Sequence, residues 1–384
     1  MFCPQFAPII GGAERQAERL GMALVSQGVD VVVTTPHLHT GSPASELRGG
    51  MRIVRFPLSD LAKKYPRLRG IGLVNAPWIV LQIVCKIWRE IGNADILHCH
   101  IGSLQSVAAA CAARLRGVPV ICKAAMADSR SDIGEAAKAG MMNRLVAVYA
   151  RIAFTRWVAT TEAVRQALLR AGVAAPRIVV IPNGVELALD ESCVRQRPVR
   201  RFLYLGRLST NIQRDVPGLL RAFDVLAADV PDAELAVVGG GDLLADTRTR
   251  AAACLHAARI RVTGPGSSDE WLQWADCLVL PSRREGLSNA LLEAMAAGLP
   301  CIAYDIPPNR EVLANGAAGV LVPEGNEPSL VGAMHRFVMD AEYASSVAQA
   351  GLNRVEAEYR IASVASRYME LYRALLGHAC RVRD

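Results

Sequence analysis

Twelve short apolar runs punctuate this chain, each rich in Val, Ile, Leu or Ala and each separated from the next by a turn or a longer segment of helical character. The first six are "VDVVVTT" (29–35), "MRIVRF" (51–56), "ADILHCH" (94–100), "PVICKA" (119–124), "RWVATT" (156–161) and "RIVVIPNG" (177–184). The second six are "RFLYLGRL" (201–208), "AELAVVGGG" (233–241), "IRVTG" (260–264), "DCLVLPS" (276–282), "PCIAYD" (300–305) and "AGVLVP" (318–323). Strands that are apolar throughout are buried on both faces, and alternation with helices makes their sheet parallel. The pattern predicts an α/β chain of two doubly wound, Rossmann-like domains. Length agrees, because 384 residues exceed what a single core usually organises.

The polar stretch from Val185 to Arg200 has neither period and reads as the join. The expected domains are residues 1–190 and 198–365, with residues 366–384 as a C-terminal helix that could cross back to the first domain. Only Met1 to Cys3 stand where a first strand belongs, so that strand is stunted or the start lies upstream. Ligands of such sheets collect at the carboxyl ends of the strands, and two domains facing a cleft would hold them there.

Composition narrows the class. A chain with 52% hydrophobic and 21% charged residues and a mean hydropathy of +0.22 is folded and globular. The longest apolar stretch, "VNAPWIVLQIVCKIW" (74–88), is too short to span a bilayer and contains Lys86. No basic region followed by an apolar run opens the chain, so no signal peptide is expected. The ten cysteines never form C-x-x-C or zinc-ligand spacing and read as reduced, buried thiols of a cytoplasmic protein. Charge is uneven: residues 1–195 carry 23 Lys/Arg against 14 Asp/Glu, while residues 196–384 carry 20 against 22. The excess includes Lys63, Lys64, Arg67, Arg69, Lys86 and Arg89, around the apolar stretch. Such a face is either simply solvated or meets an anionic partner, and peripheral contact with anionic lipid at the inner membrane face is the form expected here, with the apolar stretch as a buried core helix as the alternative.

Three motifs carry chemistry. In "RREGLSNALLEAMAAGLP" (283–300), Glu285 and Glu293 flank the start of an otherwise apolar helix that begins near Leu287 or Ser288, where Ser288 or Asn289 can cap it. The free N–H groups of its first turn suit a phosphate, and acids beside a phosphate site are best aimed at hydroxyl groups of a sugar or ribose. Taken singly, each glutamate is an ordinary helix residue or dipole partner. In "LYLGRLSTNIQRDVPG", Arg207 and Arg214 follow a strand and suit the two charges of a pyrophosphate, unless they are merely solvated. Gly11-Gly12 before the first helix lets backbone approach a phosphate, and the turns at Gly240 and Pro265 gain meaning only in company.

The segment "EGLSNALLEAMAAGLP" resembles the E-x7-E motif of retaining GT-B glycosyltransferases of family 4. The runs "PIIGGAERQAERLGMALVSQGVDVVVTT", "IPNGVE", "GRL", "VVGGGD" and "VTGPG" fall in that family's order over nearly the whole chain. The resemblance implies a GT-B fold and transfer of a sugar from a nucleotide-diphosphate sugar to a glycan, lipid-linked or small-molecule acceptor, with retention of configuration. No metal, no other cofactor and no nucleic acid are implied. Carried over by position, Glu285 would hold the donor sugar and Glu293 the ribose. Backbone at Gly286, Leu287, Ser288 and Asn289 would hold phosphate, and Arg207 the pyrophosphate. Gly240 and Pro265 would lie near the nucleotide, with Gly12 closing from the other domain. Where many members place a lysine after "GRL", Arg214 substitutes; where many carry a histidine after the strand "PVICKA", Ala125 stands. His98 and His100 share a strand face and could line the acceptor side, with His100 as a catalytic candidate, or be ordinary strand-end histidines.

No Ser-His-Asp set or paired cysteine nucleophile suggests a covalent route. "PIIGGAER" does not supply the G-x-G-x-x-G of a dehydrogenase. A nucleotide-sugar epimerase of the same architecture and a non-catalytic nucleotide-sugar binder remain as alternatives.

Overall fold

The computed structural model describes residues 1–8, 11–64, 71–124, 149–187, 194, 198–210 and 213–377, with side chains 63 and 71–73 outside that description. The chain forms two compact units: Met1–Gly184 together with Ile361–Asp384, and Val185–Arg360.

In the first unit the strands are β1 (Val32–Pro36), β2 (Ser45–Arg48), β3 (Met51–Phe56), β4 (Leu97–His100), β5 (Val120–Ala124), β6 (Arg156–Ala159) and β7 (Ile178–Val180). They run β2-β3-β1 on one side and β4-β5-β6-β7 on the other, parallel except for β2. The stub Met1–Cys3 joins the halves. Phe2 bridges Thr34 of β1 and Cys99 of β4, its N–H donating to the His98 carbonyl (2.8 Å) and its carbonyl accepting from the His100 N–H (3.0 Å). Its ring is fully buried, in one core with residues of β4, β5 and β6. The chain leaves this stub in one direction to β1 and β3, then returns to β4 on the other side, which makes the stub the point where strand order reverses.

In the second unit, β8 (Arg201–Leu205), β9 (Glu234–Val238), β10 (Ile260–Gly264), β11 (Cys277–Leu280), β12 (Cys301–Tyr304) and β13 (Val320–Val322) form one parallel sheet in the order β10-β9-β8-β11-β12-β13. Its order reverses between β8 and β11. Every apolar run of the sequence supplies one of these strands. Among the described strands only β2, a largely exposed antiparallel edge reading Ser-Glu-Leu-Arg, has no apolar signal to betray it.

Six helices matter for function: α1 (Gly12–Ser26), α2 (Ile71–Glu90), α3 (Leu104–Leu115), α4 (Val216–Asp229), α5 (Asn289–Ala296) and α6 (Ile361–Leu376). The second unit begins at Val185 rather than 198, because Val185 bridges Arg360 and is buried in that unit's core. Likewise the last helix starts at Ile361, before residue 366. It places Val364, Tyr368, Met369 and Tyr372 in one core with Leu20, Leu24, Val33 and Ile121 of the first unit. An amphipathic helix with that many buried large side chains is held by several kcal/mol of apolar burial, at roughly 1.5–3 kcal/mol per side chain.

None of the eight described cysteines is in a disulfide. Cys3, Cys99, Cys122, Cys277 and Cys301 are buried, but Cys85 is exposed on α2, which corrects the expectation that the cysteines are buried. Among the described residues no helix is long and apolar enough to cross a membrane and no cluster of ligands could hold a metal ion.

Candidate functional site

The reversal of strand order between β8 and β11 sets the carboxyl ends of two adjacent parallel strands side by side, where doubly wound sheets bind ligands. β8 delivers Gly206 and Arg207, and β11 delivers Pro281 to Glu285. Main-chain bonds lace the two loops together: the Asp215 N–H donates to the Pro281 carbonyl (2.8 Å), the Arg283 N–H to the Gln213 carbonyl (3.0 Å), and Arg214 bridges Ser282.

Across this seam Arg214 donates through Nη2 to Oε1 of Glu285 at 3.0 Å, with side chains 13% and 10% exposed. Arg214 Nη1 also donates to the Tyr204 hydroxyl (3.3 Å), which in turn donates to the Arg207 carbonyl (3.2 Å). Burial works against the Arg214 charge, but Glu285 and Tyr204 outweigh it and hold the guanidinium firmly protonated. Gly206 makes room for this arrangement, since a Cβ there would fall 1.6 Å from Arg214 Nη1. Glu285 is thus a carboxylate fixed in place by a buried cation, at the mouth of the loop that opens α5.

A second layer holds the loop. Asp215 caps α4 by accepting from the Gly218 N–H (2.9 Å), while its Oδ2 accepts from Arg283 (2.9 Å) and from the Tyr304 hydroxyl (3.0 Å). Burial raises the Asp215 pKa, but these donors together bring it below the usual carboxylate value. None of Tyr204, Asp215 and Tyr304 is distinctive in the sequence, and alternation along β8 was the only available hint of Tyr204.

The expected site residues fall as follows. Helix α5 starts at Asn289 with Ser288 at its N-cap, but the Ser288 hydroxyl makes no capping bond, which corrects the expected cap. Gly286, Leu287 and Ser288 are buried, and Glu293 is buried one turn inside the helix at 6% exposure. Arg207 is exposed, and its side chain has no partner among the described residues. Gly240 and Pro265, after β9 and β10, lie together: a Cβ on Gly240 would come within 2.8 Å of Pro265 Cγ. Arg214, expected with Arg207 at the pyrophosphate, has its guanidinium engaged with Glu285.

Gly12 and His100 belong to the other unit. Gly12 is the exposed first residue of α1, after N-cap Gly11. His100 is only 3% exposed at the end of β4, its ring stacked on His98 at 4.5 Å, and burial keeps both imidazoles neutral, with pKa values well below the ordinary one. Ala125 lies outside the described residues, as do Arg67, Arg69 and the side chain of Lys63.

Two family models match the chain. Residues 11–184 match the glycosyl transferase 4-like domain and residues 199–340 match glycosyl transferases group 1. The chain therefore belongs to the family 4 glycosyltransferases, and its fold is GT-B. Among curated relatives it is 26% identical to the GDP-mannose:cellobiosyl-diphosphopolyprenol alpha-mannosyltransferase of Xanthomonas campestris, over 97% of this chain and 96% of that one. It is also 26% identical to the phosphatidyl-myo-inositol mannosyltransferase of Mycolicibacterium smegmatis, over 100% and 95%. Among solved structures, Anabaena Alr3699/HepE in complex with UDP shares the fold at TM-score 0.74 and 16% identity, covering 97% of this chain and 99% of that one. Sucrose-phosphate synthase from Thermosynechococcus elongatus does so at TM-score 0.73 and 20% identity, covering 96% and 94%.

Proposed function

We propose that this glycosyltransferase moves a hexose from a nucleotide-diphosphate sugar to a glycan or lipid-linked acceptor, with retention of configuration and without a metal. The observation that carries this reading is the Arg214–Glu285 pair, buried at the reversal of strand order and at the head of α5. Glu285 takes the hydroxyls of the donor sugar. The N–H groups of Gly286 to Asn289 and the free cation of Arg207 take the diphosphate, Arg214 lies beside them, and Glu293 takes the ribose. Gly240 and Pro265 flank the nucleotide, and Gly12 with His100 belongs to the acceptor side. The Glu285 carboxylate is tied to Arg214 rather than left free to attack the sugar, which favours a route in which the donor's own phosphate oxygen takes the acceptor's proton. The protein then supplies position and charge stabilisation. A nucleoside-diphosphate mannose is the donor to try first, since two relatives are named for mannosyl transfer.

The test is binding. A nucleoside diphosphate should raise the melting temperature, a ligand at 100 times its Kd stabilising by about 2.7 kcal/mol. Replacing Arg207 with alanine should weaken the diphosphate at least tenfold while leaving the nucleoside unchanged. Equal losses for both ligands would return Arg207 to the solvated surface.

Peripheral membrane contact is part of the same reading. On α2, Ile83 and Ile87 face the core, while Val74, Trp78, Leu81, Cys85 and Trp88 form an exposed stripe at helical spacing. Exposed Lys64, Arg89, Arg114 and Arg116 stand in the same unit, Arg116 lying 4.3 Å over the Trp88 ring. An apolar stripe with basic residues suits an anionic bilayer surface, at about 1 kcal/mol per cation. Cosedimentation with anionic but not neutral vesicles is expected, lost on Trp78→Glu or in high salt. A protein that stays in the supernatant with anionic vesicles at low salt would end the idea.

A further inference from the structure

The first unit contains a second cluster of titratable side chains, remote in sequence from the glutamate motif. His98 and His100 lie on one face of β4, and Lys123 of β5 pairs with His100 in the register of the sheet, which sets all three on the same face. They are 2%, 3% and 8% exposed. Helix α6 packs on His98: the Tyr372 hydroxyl is 2.8 Å from its Nδ1, and the Tyr368 ring lies tilted with its centroid 5.1 Å from the imidazole. Among the described residues the Nε2 atoms of both histidines and the Tyr368 hydroxyl have no partner. No ion pair to Lys123 exists among the described residues either, and burial alone brings its ammonium down to about 8.

A lysine usually carries its head to water, and a buried one is usually paired. Lys123 is only 8% exposed and has no ion pair among the described residues, although methionine or leucine would fill the same volume without burying most of a charged side chain. Unpaired buried polar groups are rare in folded proteins and gather where a ligand completes them. The missing complement of an ammonium beside two idle imidazole nitrogens is an anion, which accepts hydrogen bonds and returns the charge. The position fits a ligand: these are carboxyl ends of parallel strands beside the stub at which this sheet reverses and after which Gly11-Gly12 opens α1.

We infer that Lys123, with His100 beside it, forms an anion-binding subsite of the first unit that receives a phosphate or carboxylate group of the acceptor. This deepens the glycosyltransfer reading and rests on it for the word acceptor. The same chemistry could come from the donor's diphosphate, and the experiment separates the two.

Thermal melts of the full chain, wild type and Lys123→Met, are compared in sodium chloride, in sodium phosphate at matched ionic strength, and with a nucleoside diphosphate in chloride. Phosphate raises the melting temperature of most proteins through exclusion from their surface, so the informative quantity is the difference between the two proteins. The expected result has three parts. Lys123→Met melts at or above the wild type in chloride, phosphate raises the wild type by several degrees more than the variant, and the nucleoside diphosphate raises both alike. Equal phosphate shifts overturn the subsite. So does a variant that melts well below the wild type in chloride, which would give the ammonium a structural role. If the nucleoside diphosphate shift falls in Lys123→Met together with the phosphate shift, the anion is the donor's and the acceptor assignment is overturned. If the nucleoside diphosphate stabilises neither protein, the donor-site reading fails by itself, and the phosphate comparison still decides the subsite.

Discussion

Replacing Glu285 with glutamine is expected to lower turnover by on the order of 10² or more while the protein still folds and still binds nucleoside diphosphate. The reasoning starts from Arg214. Its Nη2 donates to Oε1 of Glu285 at 3.0 Å, and a glutamine carbonyl can accept the same bond, so the guanidinium is not stranded. What disappears is the negative charge, at the cost of about 1–3 kcal/mol of stability for a charged hydrogen bond made neutral on one side. Alanine is a different experiment, because it removes the acceptor and leaves a buried cation unpaired, for a loss of about 3–5 kcal/mol. Steady-state kinetics on a nucleotide-sugar donor, with circular dichroism as the folding control, reads the outcome. A glutamine variant with wild-type kcat would remove Glu285 from the reacting centre.

The second large effect is on stability. Gly239 has φ +155, and a Cβ there would fall 1.8 Å from the Gly206 carbonyl oxygen; Gly241 has φ +146, and its Cβ would fall 1.9 Å from the Leu208 carbonyl oxygen. In both cases the obstacle is backbone rather than a side chain that can swing away. The loop after β9 therefore lies directly on the loop after β8, bound by Gly206 N–H to Val238 O (2.9 Å) and Leu208 N–H to Gly240 O (2.9 Å). Gly239→Ala is expected to destabilise by on the order of 3 kcal/mol or more through clash and strain. Urea denaturation of the variant checks it, and a loss below about 1 kcal/mol would mean the two loops separate easily. Part of the work of these glycines is to let one strand-end loop lie against another.

How much of this was legible in advance follows physical lines. The strands were readable because burial on both faces demands unbroken apolar runs, and the edge strand β2 was not, because a largely exposed strand reading Ser-Glu-Leu-Arg makes no such demand. Glu285 and Arg214 were both visible as candidates. Their pairing was not, since 71 residues separate them and only the crossing from β8 to β11 brings them together. His98 and His100 were visible at a strand end, but the packing of α6 on His98 was not, because its tyrosines lie some 270 positions further along, as the His98–Tyr372 bond shows. Lys123 drew no notice, because a lysine at a strand end looks solvated until its surroundings are known.

The return of α6 to the first unit makes the second unit, Val185–Arg360, an insertion within the first. During synthesis the inserted unit has all its strands before the host unit has its last helix. The first unit's core lacks Val364, Tyr368 and Tyr372 until α6 emerges, so the unit begun before the other is completed after it. A cut or stall after Arg360 would leave a whole second unit attached to a first one with an open core, exposing the apolar surfaces of Leu20, Leu24 and Val33 that α6 otherwise covers.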